Sequence, residues 1–200
     1  MTTIEYYLSL NSPWTYLGSA RFAAMTKAAG ATVKVKPAKF GEVFAKTGGL
    51  PLPKRAPERQ AYRLMELKRW RDHHGIPITL QPKHFPSDEA AATRLVIAAV
   101  IQGKDALALS HEIGKSLWER EENIADAGVI SAAANRAGLD AAAIRAAAAS
   151  DAELDAIWDR NTAEALARGV FGAPSYVFPD GEFLWGQDRL EFVQRKLARK

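Results

Sequence analysis

The 200-residue sequence predicts an α/β fold in which a strand–helix–strand unit and a strand–strand–helix unit are separated by a long series of helices. At the start of the chain, a β-rich segment at 4–10 and an alternating segment at 32–36 flank a helical segment. At its end, two short β-rich segments joined by a turn precede a last helix. The hydrophobic fraction of 48% is ordinary for a globular protein and supplies enough apolar material for a core.

The composition excludes several classes of site. The sequence contains no cysteine, which rules out disulfides, cysteine-based zinc sites, iron–sulfur clusters and thiol nucleophiles. The formal net charge of +4 slightly favours anionic small molecules and is a poor argument for binding nucleic acid. No secretory signal or long apolar segment is recognisable, so we expect a cytoplasmic protein outside the membrane.

The first unit has a clear helix start. Ser12 is typical of an N-cap, Pro13 of the first helical position, and Gly30 of the residue that follows a helix. Strands at 4–10 and 32–36 on either side of this helix predict a βαβ unit with parallel strands.

The middle of the chain is predicted to be helical, apart from a Pro/Gly loop at 48–57 and an extended proline-rich segment at 76–86. Ser87 or Asp88 is the expected N-cap of a helix that ends at Gln102. The other helices of this part are expected at 40–46, 58–74, 104–119, 126–137, 140–148 and 151–168.

The end of the chain returns to strands, which are expected at 175–178 and 182–185. A short turn joins these two strands, so they must be antiparallel. Asp188 is the expected N-cap of a last helix that runs to Lys200.

Together these elements have the order of a thioredoxin-like fold with an all-helical insertion. We expect a thioredoxin-like domain at 1–40 and 169–200, and a helical insertion domain at 41–168. The sheet should be mixed, since the first unit has parallel strands and the last unit has antiparallel ones.

Candidate chemistry begins at Ser12-Pro13-Trp14-Thr15, where the first strand leads into the first helix. In a thioredoxin fold this is the position of a Cys-x-x-Cys pair, but here both outer residues carry hydroxyls and dithiol chemistry is impossible. A helix N-terminus stabilises an anion and lowers the pKa of a thiol placed there, including one that belongs to a ligand. The simpler interpretation is an N-cap without a ligand, and the residues alone favour it.

Three other segments have both a structural and a functional interpretation. A cis bond before Pro174 would turn the peptide groups of Ala173 towards the first helix, whereas a trans bond would only open an edge strand. Asp188 is either an N-cap alone or also a partner for an α-amino group. The basic cluster at 54–59 is either an anion-binding site or a solvated loop.

The remaining polar residues indicate no further site. None of His73, His74, His84 and His111 has the spacing of metal ligands, so no metal site is expected. Ser12 has no evident His/Asp partner, which argues against a hydrolase triad.

Three stretches of the chain together resemble a known family. They are YLSLNSPWTYLG at 7–18, the segment 57–70 followed by Gly-Ile-Pro at 75–77, and GVFGAPS at 169–175 continuing to LWGQDRL at 184–190. In this order and without cysteine, they resemble the 2-hydroxychromene-2-carboxylate isomerases, in the DsbA-like group that includes the kappa-class glutathione transferases.

The resemblance implies that the protein binds glutathione. Ser12 matches the serine that contacts the glutathione sulfur, and it is implied to be the catalytic residue. Ala173, before a Pro174 that is implied to be cis, matches the residue whose backbone pairs with the cysteinyl part. Gln187 and Asp188 match the pair that holds the γ-glutamyl end.

The resemblance also implies a small aromatic carboxylate as the substrate. Its carboxylate needs a cation, and Lys54, Arg55 and Arg59 are the candidates. Arg59 stands where the family usually has a lysine, which keeps the charge and changes the contact geometry. Phe85 matches an aromatic position of the substrate pocket. A homodimer is expected, as is usual in the family.

The implied reaction interconverts 2-hydroxychromene-2-carboxylate and trans-o-hydroxybenzylidenepyruvate by reversible addition of the glutathione thiolate to a conjugated double bond. Two alternatives use the same scaffold. One is a kappa-like glutathione transferase or peroxidase that acts on other electrophiles. The other is a non-catalytic glutathione-binding module. A disulfide oxidoreductase is excluded because the chain has no cysteine.

Overall fold

The computed structural model describes residues 2–198. Its strands are β1 (Thr3–Leu8), β2 (Thr32–Pro37), β3 (Ser175–Val177) and β4 (Phe183–Trp185). Within the described residues they form one mixed sheet in the order β2-β1-β3-β4. β1 pairs in parallel with β2 and antiparallel with β3, and β3 pairs antiparallel with β4.

Helices occupy most of the chain between the two halves of the sheet. They are α1 (Pro13–Ala28), α2 (Phe40–Thr47), α3 (Pro57–His74), α4 (Ala90–Ile101), α5 (Ala106–Trp118), α6 (Ala127–Arg136), α7 (Ala141–Ala146), α8 (Asp151–Ala167) and α9 (Leu190–Ala198), with short 3₁₀ turns at Leu52–Lys54 and Gln187–Arg189. α1 packs against α5 and α9, while α4 and α8 lie against β2. No helix within residues 2–198 has both the length and the apolar character to cross a bilayer. The predicted thioredoxin-like fold with a helical insertion is confirmed by this arrangement.

Two hydrophobic clusters cover the two faces of the sheet. Successive residues of β1 point to opposite faces, so that Tyr6 enters the larger cluster and Tyr7 the smaller one. The larger cluster continues from the sheet into the inserted helices, as far as Ile130 in α6. Residues from both predicted domains therefore share one core, and the boundaries near 40 and 169 stay a prediction.

The N-cap of α4 lies one residue later than the later of its two predicted positions. The helix expected after Ser87 or Asp88 begins at Ala90, with Glu89 in the N-cap position, although the carboxylate of Asp88 accepts a hydrogen bond from the amide of Ala90 at 2.9 Å.

Ser87 does not cap because its hydroxyl donates to Oδ1 of Asn123 at 2.8 Å. Its backbone N–H and C=O are both bonded to the side chain of Asn11, at 3.0 and 2.8 Å. This pair of bonds ties the segment before α4 to the junction between β1 and α1.

The predicted N-cap role of Asp188 is also wrong. Asp188 lies inside the turn Gln187–Arg189, where Gly186 takes the N-cap position and no side chain caps. The reason is the backbone of Gly186, whose φ of 104° turns the chain before Asp188 is reached. The last helix follows from Leu190, and its expected end at Lys200 lies outside the described residues.

Gly18 permits a close approach of α1 to the turn after β4. A Cβ at Gly18 would lie 2.9 Å from the Cβ of Gln187 and 3.3 Å from the hydroxyl of Tyr176. Both neighbours are buried, so neither can move away without disturbing the surrounding packing. The glycine therefore sets how closely α1 meets this end of the sheet.

We expect Gly18→Ala to lower the free energy of unfolding by about 1–3 kcal/mol, because the added methyl group overpacks this contact. Gly41→Ala is the matched control, since Gly41 is also helical and its added Cβ would meet no atom within 4 Å. There we expect no loss, or a gain of up to about 1 kcal/mol from lower backbone entropy. Chemical denaturation measures both variants, and equal effects would contradict the close packing at Gly18.

Candidate active site

Ser12 lies at the N-terminus of α1, and its predicted N-cap role is confirmed. Its Oγ accepts a hydrogen bond from the amide of Thr15 at 3.2 Å. The same hydroxyl donates to the carbonyl oxygen of Ala173 at 3.4 Å. Pro13 has no N–H, and the amide of Trp14 has no hydrogen-bond partner within residues 2–198. The helix N-terminus therefore keeps a free donor beside Ser12.

The peptide bond between Ala173 and Pro174 is cis, as the resemblance implies. Ala173 is partly exposed, and its amide forms no hydrogen bond with any described residue. The carbonyl oxygen of Pro174 accepts a hydrogen bond from the amide of Gly186 at 2.9 Å. The segment thus offers a free backbone edge next to Ser12 and is held to the residues that follow β4.

Gln187 and Asp188 follow β4 and differ in exposure. Gln187 is only 1% exposed, and its side-chain oxygen accepts a hydrogen bond from Arg21 of α1. Asp188 is exposed, and its carboxylate lies 3.0 Å from Arg189. A Cβ on Gly186 would lie 2.3 Å from Oδ1 of Asp188, so only glycine lets this carboxylate fold back over the turn. Asp188 is therefore accessible to a ligand, while Gln187 is a buried link to α1.

Ser12 and Ala173 open onto a cleft of about 530 Å³ with largely apolar walls. The aromatic residues of these walls are Trp14, Phe40, Phe44, Phe85 and Trp185. The charged ones are Arg55, Arg63 and Glu89. An apolar cleft with a few convergent polar groups is typical of a small-molecule site. A larger cavity, of about 700 Å³, lies beside α1 and α5 and contains none of the predicted site residues.

Two of the four predicted substrate-binding residues line the cleft and two do not. Arg55 and Phe85 line it. Arg59 lines an adjoining groove instead, and Lys54 is exposed at the end of its 3₁₀ turn. Neighbouring basic residues thus diverge, because each side chain follows the direction that its own turn or helix imposes.

Arg63, on α3, is a cleft residue that no sequence motif indicated. Its guanidinium lies over the rings of Phe85 and Trp118, at 5.3 and 5.9 Å from their centroids. Burial, and then the charge of Arg55, lower the pKa of Arg63 to about 10. Its position one helical turn after Arg59 places both residues on the adjoining groove, and only the packing of α3 brings Arg63 to the cleft as well.

Glu89 is the acidic residue among the described residues that line the cleft. The hydroxyl of Ser9 lies 2.9 Å from Oε2 of Glu89, and the amide of Asn11 donates to the same oxygen at 2.8 Å. Burial raises the pKa of Glu89, and these hydrogen bonds oppose that shift without cancelling it. Sequence patterns did not indicate Glu89, because Ser9 and Asn11, which hold its carboxyl group, lie 80 and 78 positions away in the chain.

The arrangement can bind an anion next to an extended peptide. The free N-terminus of α1 and the hydroxyl of Ser12 are donors for an anion, and Ala173 presents a backbone edge to an extended peptide. No group of three or more side chains suited to hold a metal ion occurs within the described part of the chain. His111 is engaged elsewhere, with its Nδ1 at 2.7 Å from Oγ of Ser19.

The fold and this site define a thioredoxin-type domain in which a serine occupies the position of the redox cysteine. The chain belongs to the DSBA-like thioredoxin domain family, whose model matches residues 3–198. The resemblance to the DsbA-like group is confirmed by this match.

Two curated relatives match nearly the whole chain. The 2-hydroxychromene-2-carboxylate isomerase of Sphingobium xenophagum is 27% identical over 197 residues, which cover 98% of this chain and 97% of the relative. The human Glutathione S-transferase kappa 1 is 28% identical over 213 residues, which cover 99% of this chain and 92% of the relative. The relatives are thus an isomerase and a glutathione transferase.

Solved structures share the fold. A structure of 2-hydroxychromene-2-carboxylate isomerase has a TM-score of 0.79 at 23% identity, with 98% of this chain and 95% of that chain covered. The cytosolic disulfide reductase DsbM from Pseudomonas aeruginosa with GSH has a TM-score of 0.68 at 19% identity, with 98% of both chains covered. At these identities the likeness establishes the fold alone.

Glu89 leads to a prediction about pH. Because its pKa is raised in the folded state, folding favours the protonated carboxyl group, and this contribution to stability is lost as the pH rises through the raised pKa. Glu89→Gln keeps the shape of the side chain and does not ionise. We therefore expect the variant to gain stability relative to wild type when the pH is changed from acidic to neutral, as measured by denaturant titration.

Glu153→Gln is a control for which the effect of pH on stability should have the opposite sign. Hydrogen bonds from Ser150 lower the pKa of Glu153, so its contribution to stability is present at neutral pH and lost on acidification. This variant should lose stability relative to wild type over the same change of pH. The same trend in both variants would contradict the environment described for Glu89.

Proposed function

We propose that this chain is a glutathione-dependent isomerase of 2-hydroxychromene-2-carboxylate and trans-o-hydroxybenzylidenepyruvate-type aromatic catabolites. The observation that carries the proposal is the meeting of Ser12, at the N-terminus of α1, with the backbone edge of Ala173 on an apolar cleft. A chain without cysteine must take any thiol from a ligand. The isomerase relative, which matches 98% of the chain, supports the choice of reaction.

The residues present fit glutathione. Ala173 has a free amide that can pair with the cysteinyl backbone of the tripeptide, as at the edge of a strand. The hydroxyl of Ser12, once its single proton turns from the carbonyl of Ala173, and the free amide of Trp14 can then donate to the sulfur. The positive end of α1 favours a thiolate there. Asp188, exposed beside Gly186, is assigned to the γ-glutamyl amino group.

Pro174 and Gln187 complete the proposed glutathione site from behind, since neither residue lines the cleft. Pro174 follows Ala173 directly and accepts the hydrogen bond from Gly186, which joins the two halves of the site. Gln187 is buried and bonded to Arg21, so its role is to hold the turn that carries Asp188.

Held at Ser12 and Ala173, glutathione would supply the nucleophilic sulfur for reversible addition to the conjugated double bond of the substrate, which is what would allow that bond to rotate. Ser12 contributes a hydrogen bond to the sulfur, and the apolar walls exclude water. Arg55 and Phe85 contact the carboxylate and the ring of the substrate. Lys54 and Arg59, outside this cleft, add positive potential at its entrance.

A kappa-like glutathione transferase is a second candidate, favoured by the 28% identity to the human enzyme across 99% of this chain. The two functions differ in the fate of glutathione, which a transferase joins to an electrophile and an isomerase returns unchanged. The free thiol is therefore followed during turnover of 2-hydroxychromene-2-carboxylate. A constant thiol concentration supports the isomerase, and a loss that equals the product formed supports the transferase.

The proposed reaction also leads to expectations about the cellular location and the oligomeric state of the protein. We expect a cytoplasmic location, because the reaction needs glutathione in its reduced form. We expect a homodimer, which analytical ultracentrifugation of the purified chain measures directly.

Ser12→Gly tests the role of the hydroxyl, since glycine remains an acceptable N-cap and largely preserves the start of α1. We expect turnover at saturating glutathione to fall about tenfold or more, because a hydrogen bond to a charged sulfur is lost. The ultraviolet absorbance of bound thiolate should fall with it. Ser150→Gly is the matched control, because Ser150 caps α8 in the same way and does not line the cleft. Unchanged absorbance and turnover in Ser12→Gly would remove Ser12 from the mechanism.

Asp188→Asn should weaken glutathione binding about tenfold or more, because a neutral amide cannot form an ion pair with an amino group. Calorimetric titration measures the affinity. Asp180→Asn is the control, since it removes the same charge from the β3–β4 turn, where Asp180 pairs with Lys196. If both variants bind like wild type, Asp188 is not a ligand. If wild type does not bind millimolar glutathione, the proposed function is wrong.

A further inference from the structure

Arg63 is a partly buried cation without a counter-ion. It lines the cleft, and it forms no hydrogen bond or ion pair with any residue within 2–198. Arg94, which is also partly buried, has a carboxylate partner in Asp155 at 2.7 Å. The nitrogens of Arg63 are not sealed from water, so its unpaired N–H donors are available to an anionic ligand in the cleft.

The guanidinium of Arg63 lies beside two aromatic rings. Phe85 and Trp118 have centroids 4.8 Å apart, and the guanidinium lies within 6 Å of both. These rings stabilise the cation without using its N–H donors. The donors form a fork that matches the two oxygens of a carboxylate.

Arg55 adds a second positive charge to the same wall. It also lines the cleft, and its Nε donates to the carbonyl of Leu50 at 2.7 Å. The charge of Arg55 acts with burial to lower the pKa of Arg63, and no carboxylate offsets that effect. Glu89, in the same cleft, is held by Ser9 and Asn11 instead. An anion between the two arginines would relieve their repulsion.

We propose that Arg63, with Arg55 beside it, binds the carboxylate of a planar aromatic acid whose ring lies among the aromatic residues of the cleft. The inference rests on the proposed function, in which such an acid is the substrate, and it names the residue that selects it. Phe40, Phe44 and Phe85 offer flat apolar surface, which suits an aromatic ring better than the flexible chain of glutathione. Arg63 is then a specificity-determining residue.

The test uses trans-cinnamate, a planar aryl carboxylate, and its uncharged analogue cinnamamide, each titrated calorimetrically without glutathione. We expect wild type to bind cinnamate more tightly than cinnamamide. Arg63→Met keeps an apolar stem against Phe85, and it should weaken cinnamate binding about tenfold or more while leaving cinnamamide binding unchanged. Lys68→Met is the control, because Lys68 lies exposed on the same helix, and its cinnamate affinity should equal that of wild type.

The outcomes separate the inference from the proposed function. The carboxylate site at Arg63 is overturned if wild type does not prefer cinnamate to cinnamamide. It is also overturned if this preference survives in Arg63→Met, or if Arg59→Met abolishes the preference instead. Glutathione is titrated into the same variants. If Arg63→Met loses glutathione binding rather than cinnamate binding, the carboxylate site is also overturned. If wild type selects cinnamate through Arg63 but does not bind glutathione, the proposed function fails while the carboxylate site stands.

Discussion

The two pairings of β1 are the constraint on which the site depends. Antiparallel pairing sets Tyr7 opposite Ser175, so the end of β1 and the start of β3 lie at the same edge of the sheet. Ser175 also pairs with Trp185, which brings the end of β4 to that edge. The chain segments that carry Ser12 and Ala173 extend directly from these strand ends. They therefore meet in space, although all of the inserted helices separate them in sequence.

The helical insertion supplies the opposite wall of the cleft. Arg55 and Arg63 belong to the segment around α3, while Glu89 precedes α4. The two hydrogen bonds between Asn11 and Ser87 hold this wall in register with the N-terminus of α1. The sheet and the insertion therefore contribute different groups to the site. The sheet edge presents backbone groups and a helix N-terminus, and the insertion presents the charged groups and several of the aromatic groups of the cleft.

The absence of cysteine changes what the N-terminus of α1 can do without changing its electrostatics. The free amide and the helix dipole that would acidify a cysteine thiol are still present beside Ser12. Ser12 itself cannot exchange disulfides, so these groups can act only on an anion that arrives with a ligand. The likeness to disulfide reductases in fold therefore carries no likeness in redox chemistry.

The order of strands and helices, the N-cap at Ser12 and the absence of thiol chemistry can be read from the residues without a structure. Each depends on neighbours within a few positions, where propensity and capping rules apply. The predicted starts of the helices at Ser87 and Asp188 failed where a distant partner or a left-handed glycine competed with those rules. Packing alone places Arg63 and Glu89 on the cleft, because the direction of a side chain depends on contacts remote in the chain.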